Sequence, residues 1–220
     1  MNDIAQKPIK AIIFDMDGVL LDTETICDRT WDVAAKEMSL PKIEEAKEIC
    51  RGCSKTDTEI NLRSLWGKDV SIDDFLKRTS QLFNEIETNE GISLMKGVIK
   101  ALDYLKNKGY RLALASSTRE IVVRRQLTNA KLITYFETIT TGDMVTHSKP
   151  NPEIYLKAVS SLGLTSADCV AVEDSPNGIR SACDASLKCI MIPDKIQPTN
   201  EIKQIIWALL PSLDDIPKVL

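Results

Sequence analysis

The chain has 220 residues, 43% hydrophobic and 27% charged, with a formal net charge of −4. That balance suits one large globular domain or a core domain carrying a smaller insert. The acidity and the lack of a basic block exclude a nucleic-acid-binding composition, and no apolar run is long enough for a membrane span. In chain order, residues 1–10 hold no apolar segment of signal-peptide type. The expectation is a cytoplasmic monomer whose six cysteines, Cys27, Cys50, Cys53, Cys169, Cys183 and Cys189, are reduced thiols.

The first predicted strand is AIIF (11–14). Residues 20–94 then contain no strand pattern. Ile26, Thr30, Val33, Ala34 and Met38 mark one helix, and Ile60, Leu62, Leu65 and Trp66 another. Ile72, Phe75, Leu76, Thr79, Leu82, Phe83 and Ile86 form a third stripe, opened by a capping box at Ser71-x-x-Asp74. Beyond it, apolar runs at 111–115, 137–140, 169–172 and 188–192 alternate with helical stripes around Val98–Leu105, Val122–Ala130 and Ile154–Leu162. Such alternation predicts an α/β fold: a Rossmann-like, doubly wound parallel sheet with an inserted α-helical cap domain. The expected division is 1–20 and 95–220 for the core and 21–94 for the cap. The tail, 193–220, is the least legible part, read as a short strand or helix.

Sites in open parallel sheets form beyond the carboxyl ends of the strands. The residues there are Asp15, Asp17 and Gly18; Ser116, Ser117 and Thr118; the loop carrying His147 and Lys149; and Glu173, Asp174 and Ser175. Four carboxylates against one lysine cannot all ionise unaided, and a hard divalent cation, Mg²⁺, is the natural compensator. Asp15, Asp17, Glu173 and Asp174 are its expected ligands. Ser116 reads as a helix N-cap, with the Ser117 and Thr118 N–H groups free to cradle a phosphate. One aspartate can attack phosphorus and the other can serve as acid and base. Gly18 provides a sharp turn beside them.

FDMDGVLLDTE, LASST, KPNPEIY and VEDSPNGI, in that order, resemble the four motifs of haloacid dehalogenase superfamily phosphohydrolases with a small helical cap. The resemblance covers roughly residues 9 to 195. It implies Asp15 as nucleophile, Asp17 as general acid and base, Ser116 as phosphate ligand and Lys149 as neutralising cation. It also implies Mg²⁺ held by Asp15, Asp174 and the main-chain carbonyl of Asp17, with Glu173 acting through water. The aspartates at 15 and 17 set the chain apart from the haloacid- and phosphonate-cleaving branches.

The loop Cys50-Arg51-Gly52-Cys53-Ser54-Lys55 resembles the substrate-specificity loop of β-phosphoglucomutase-like proteins, so Arg51, Gly52 and Lys55 are expected substrate contacts. Those mutases carry a histidine twelve residues after the nucleophile; here that position is Cys27. The expected activity is a phosphatase for a small phosphorylated metabolite of the sugar-phosphate type, with a phosphosugar mutase as the alternative. A phosphoacceptor signalling module fits less well, since such receivers are shorter and uncapped. Cys50-x-x-Cys53 lacks the second pair of a zinc site and reads as two incidental thiols.

Overall fold

The computed structural model describes residues 8–53 and 55–220, with Lys55 described by its backbone alone. The chain up to Leu21 and Leu94–Leu220 form one compact unit; Asp22–Ser93 form a second. Leu21 and Leu94 pair as an antiparallel bridge, and Met95 donates its N–H to the Leu20 carbonyl at 3.0 Å. That pairing carries the first unit one residue further on each side than the expected boundaries.

Among the described residues the first unit holds six strands: β1 (Ala11–Phe14), β2 (Arg111–Ser116), β3 (Thr138–Thr141), β4 (Cys169–Glu173), β5 (Lys188–Met191) and β6 (Ala208–Leu209). All pair in parallel, in the order β3-β2-β1-β4-β5-β6. The order reverses between β1 and β4, and at such a reversal the loops beyond the strands open a crevice. Ala11 lies opposite both Arg111 and Cys169, and Phe14 opposite Leu114 and Val172. Beyond that level β4 runs one residue further, to Glu173, and β2 two, to Ser116. Helices cover both faces. Ala11, Ile13, Ala113, Ala115, Ala171 and Cys189 pack with Ile154, Tyr155, Ala158, Ile179 and Ala182. These come from α7 (Glu153–Ser161) and α8 (Pro176–Asp184). β1 and β4 are buried along their whole length because the crossovers return over both faces of the sheet.

The second unit is helical: α1 (Thr23–Glu37), α2 (Ile43–Cys50), α3 (Lys55–Trp66) and α4 (Ile72–Glu90). Phe75 is fully buried at its centre, with Trp31 and Trp66 edge-on to it at 5.2 and 4.9 Å. Ser71 caps α4 by accepting the Asp74 N–H at 3.3 Å. α2 was not expected: its apolar positions are few, and its N-terminal Lys42 has a positive φ of 57° in place of a capping side chain.

Two other expectations are corrected. The tail contains both a helix, α9 (Asn200–Ile205), and the edge strand β6, then a 3₁₀ turn at Leu213–Lys218. Two-residue strands carry no readable period. Ser116 is not an N-cap: it ends β2, and α6 (Glu120–Asn129) starts four residues later. Asp143, from the loop after β3, caps α6 by accepting the Glu120 N–H at 3.0 Å. Among the described residues no helix is long and apolar enough to cross a membrane.

Candidate active site

Asp15 follows β1 and continues its ladder, its N–H bonding the Val172 carbonyl at 3.0 Å. Alternation along the strand turns it to the face of Ala11 and Ile13, toward α7. Lys149 meets it there. The ammonium donates to Asp15 Oδ1 at 2.7 Å, to Glu173 Oε1 at 2.6 Å and to the Ala115 carbonyl at 3.0 Å. Its three hydrogens thus tie together the ends of β1, β2 and β4. Burial pushes the Asp15 carboxyl up to about 7; Lys149 opposes that shift, while Glu173 and Asp17 add to it. For Lys149, burial disfavours the charge, but the attraction of Asp15 and Glu173 outweighs it and holds the pKa above its ordinary value.

Asp17 is turned elsewhere. Its Oδ2 accepts the Thr118 hydroxyl at 3.0 Å and the Ser116 hydroxyl at 3.4 Å. The two carboxylates, two positions apart in sequence, therefore have different partners: an ammonium for Asp15, hydroxyls for Asp17. Ser116 Oγ also accepts the Thr118 N–H at 3.1 Å. This corrects the expected cradle, because the Thr118 N–H is engaged within its own turn and the helix begins beyond it. Ser117 is exposed, and its carbonyl packs against Gly142, where a Cβ would lie 2.0 Å from the oxygen.

Gly18 has φ +72°, and a Cβ there would lie 2.4 Å from Asp174 Oδ2. Its smallness thus serves the approach of the Asp174 carboxylate as well as the turn. Glu173 is fully buried. Oε1 accepts Lys149 and, at 2.8 Å, the Tyr155 hydroxyl; Oε2 accepts the Asp174 N–H at 3.1 Å, the Ser175 N–H at 3.4 Å and the Ser175 hydroxyl at 3.2 Å. A Cβ on Gly178 would lie 1.9 Å from its carboxyl carbon. Tyr155 and Gly178 were not among the expected site residues; the available signal was their place inside the motifs KPNPEIY and VEDSPNGI.

Asp15, Glu173 and Asp174 each offer an oxygen, all within 4.8 Å of one another. The donors are hard carboxylate oxygens, and the Lys149 ammonium offsets part of their charge, so the set suits a hard divalent cation. The Asp17 carboxylate, turned to Thr118 and Ser116, is not in this group.

Arg51 and Gly52, from the expected specificity loop, line a cavity of about 200 Å³ within the helical unit, together with Glu24, Cys27, Asp28 and Trp31. The Arg51 guanidinium pairs with Asp28 at 3.2 Å and Glu24 at 3.6 Å. Ser54 and the Lys55 side chain lie outside the described residues. Cys50 and Cys53 are free thiols, and burial, then Cys53, pushes Cys50 up to about 11.

A family model described as haloacid dehalogenase-like hydrolase matches residues 12–192. The chain is 33% identical over 183 residues to the phosphorylated carbohydrates phosphatase of Thermotoga maritima, covering 83% of this chain and 84% of that protein. It is 28% identical over 187 residues to the β-phosphoglucomutase of Bacillus subtilis, covering 81% of each. The crystal structure of CbbY from Rhodobacter sphaeroides in complex with phosphate superposes with a TM-score of 0.77 at 26% identity, over 94% of this chain and 96% of that one. The family match runs across the strands and loops that carry Asp15, Asp17, Lys149, Glu173 and Asp174, and the chain belongs to the haloacid dehalogenase-like hydrolases.

Proposed function

We propose that the protein is a Mg²⁺-dependent phosphatase, working as a cytoplasmic monomer on a small phosphorylated metabolite of the sugar-phosphate type. The observation that carries this reading is the division of labour between Asp15, buried against Lys149, and Asp17, held by two hydroxyls. Asp15 attacks phosphorus, forming an aspartyl phosphate as the bond to the leaving oxygen breaks. Asp17, protonated, gives its hydrogen to that oxygen; as a carboxylate it then takes a proton from the water that hydrolyses the acyl phosphate. Ser116 contributes its hydroxyl as a phosphate ligand, with Ser117 beside it, while Thr118 holds Asp17. Lys149 offsets the charge of the phosphoryl oxygens. Asp15, Asp174 and the main-chain carbonyl of Asp17, with Glu173 acting through water, would hold Mg²⁺, whose positive charge would keep Asp15 ionised. Substrate choice falls to the helical unit, with Arg51, Gly52 and Lys55 as its contacts.

The test is phosphate release from a panel of phosphate esters with and without Mg²⁺. No release from any ester with Mg²⁺ present would sink the reading. The relative named β-phosphoglucomutase supports a second reading, in which the phosphoryl group returns to a sugar. Cys27, in place of the mutase histidine, weighs against it. β-Glucose 1-phosphate with a bisphosphate primer separates the two: glucose 6-phosphate forming faster than free phosphate would favour the mutase.

A further inference from the structure

Tyr155 is fully buried in α7, and none of the steps above uses it. Its hydroxyl donates to Glu173 Oε1 at 2.8 Å, and Lys149 Nζ lies 5.1 Å from its ring centroid. Lys149 is shared almost evenly between two carboxylates, at 2.7 Å from Asp15 and 2.6 Å from Glu173. Glu173 is held on its other oxygen by Asp174 and Ser175, so the carboxylate cannot swing away. What remains adjustable is how strongly Oε1 draws the ammonium. A second donor on the same oxygen weakens that draw, because the lone pairs and charge are divided between two hydrogens. The aromatic face holds the ammonium from a further side.

We propose that Tyr155 is a positioning residue: its hydroxyl occupies Glu173 Oε1 so that Lys149 stays directed at Asp15 and at the phosphoryl group Asp15 receives. The assignment rests on the phosphatase reading above. A tyrosine that only filled the core between α7 and the sheet would lose nothing on exchange for phenylalanine, which keeps the ring and its packing. A positioning hydroxyl, when removed, leaves Glu173 one donor short and draws Lys149 toward it.

The experiment compares wild type with Tyr155→Phe. Three quantities are measured: kcat and KM on the best phosphate ester, the Mg²⁺ concentration for half-saturation, and the affinity for beryllofluoride with Mg²⁺. Beryllofluoride bound to an aspartate stands in for the aspartyl phosphate. For loss of one hydrogen bond to a charged group, kcat and beryllofluoride affinity are each expected to fall about tenfold. KM should stay within about twofold, since neither Ser116 nor Arg51 loses a contact with Tyr155; the Mg²⁺ half-saturation reads any effect passed to the metal site through Glu173, the carboxylate that loses this donor. Wild-type kcat and beryllofluoride affinity in Tyr155→Phe would overturn the assignment. So would a melting point more than about 10 °C below wild type, because the hydroxyl would then be holding the fold. A wild-type protein that neither hydrolyses esters nor binds beryllofluoride with Mg²⁺ would instead overturn the phosphatase reading and this assignment with it.

Discussion

The α carbon of Gly178 sits against the carboxylate of Glu173, so closely that a methyl group there would lie 1.9 Å from the carboxyl carbon. Ser175 caps α8 by accepting the Gly178 N–H at 3.1 Å, so the first turn of that helix is clamped around the Glu173 side chain. Both groups are buried and neither can yield without moving Lys149 or Asp174. Gly178→Ala should therefore destabilise the protein by about 1–3 kcal/mol, as overpacking does. It should also cut phosphate release more than tenfold, a loss that urea unfolding and steady-state assays would separate. Wild-type stability and turnover in this variant would contradict the clamp.

Asp15→Asn keeps the shape of the side chain and removes the nucleophilic carboxylate. The loss should be at least about a thousandfold in kcat, roughly 4 kcal/mol of barrier. Beryllofluoride binding should vanish with it. Residual turnover near the wild-type level would mean that another group attacks phosphorus.

Metal-free stability should depend on pH through Asp15. Its pKa rises from the ordinary 3.8 to about 7, chiefly through burial. Between those values the folded protein keeps a proton that the unfolded chain has released. The folded state therefore loses stability as pH rises through that window, with a slope of at most about 1.4 kcal/mol per pH unit. Melting in chelator at pH 5 and pH 7.5 should show Asp15→Asn gaining on wild type as pH rises. Mg²⁺ at pH 7.5 should raise the wild type more than the variant. A pH-independent gap between the two would refute the assignment of this proton to Asp15.

Thr118→Val removes the shorter of the two hydroxyl contacts to Asp17. The acid role of Asp17 matters most when the leaving oxygen is basic. We expect kcat to drop about five- to tenfold on an alkyl phosphate, while the rate of phosphoenzyme formation from an aryl phosphate with a good leaving group changes little. Rapid-quench measurements on both ester types would show this contrast, and equal losses would argue against it.

Cys50 and Cys53 should be dispensable for the chemistry. With Cys50 pushed up to about 11, little thiolate is present near neutrality. The double replacement Cys50→Ala/Cys53→Ala is expected to keep wild-type kcat on an unselective ester and to bind no less Mg²⁺. A loss of more than about tenfold in kcat, well over 1 kcal/mol, would assign the pair a role after all.

Much of this protein could be read from local patterns. Short apolar runs ending in carboxylates, hydroxyls or lysine locate the strands of a parallel sheet and the groups at their carboxyl ends, because strand burial and strand termination are each encoded within a few residues. Asp15, Lys149, Glu173 and Asp174 were legible for that reason. Partners across the fold were not. Which carboxylate meets the ammonium, which meets Thr118 and Ser116, and which donor caps α6 depend on loops brought together from distant parts of the chain. The expected N-cap at Ser116 failed on that point, since Asp143 does the capping from the loop after β3. Composition and spacing alone established a sheet with an acidic, lysine-bearing edge. Only tertiary structure, by packing α7 and α8 against that edge, decided that Glu173 is enclosed by Gly178 and shared between Tyr155 and Lys149, because a buried carboxylate must find its hydrogen-bond donors wherever the fold delivers them.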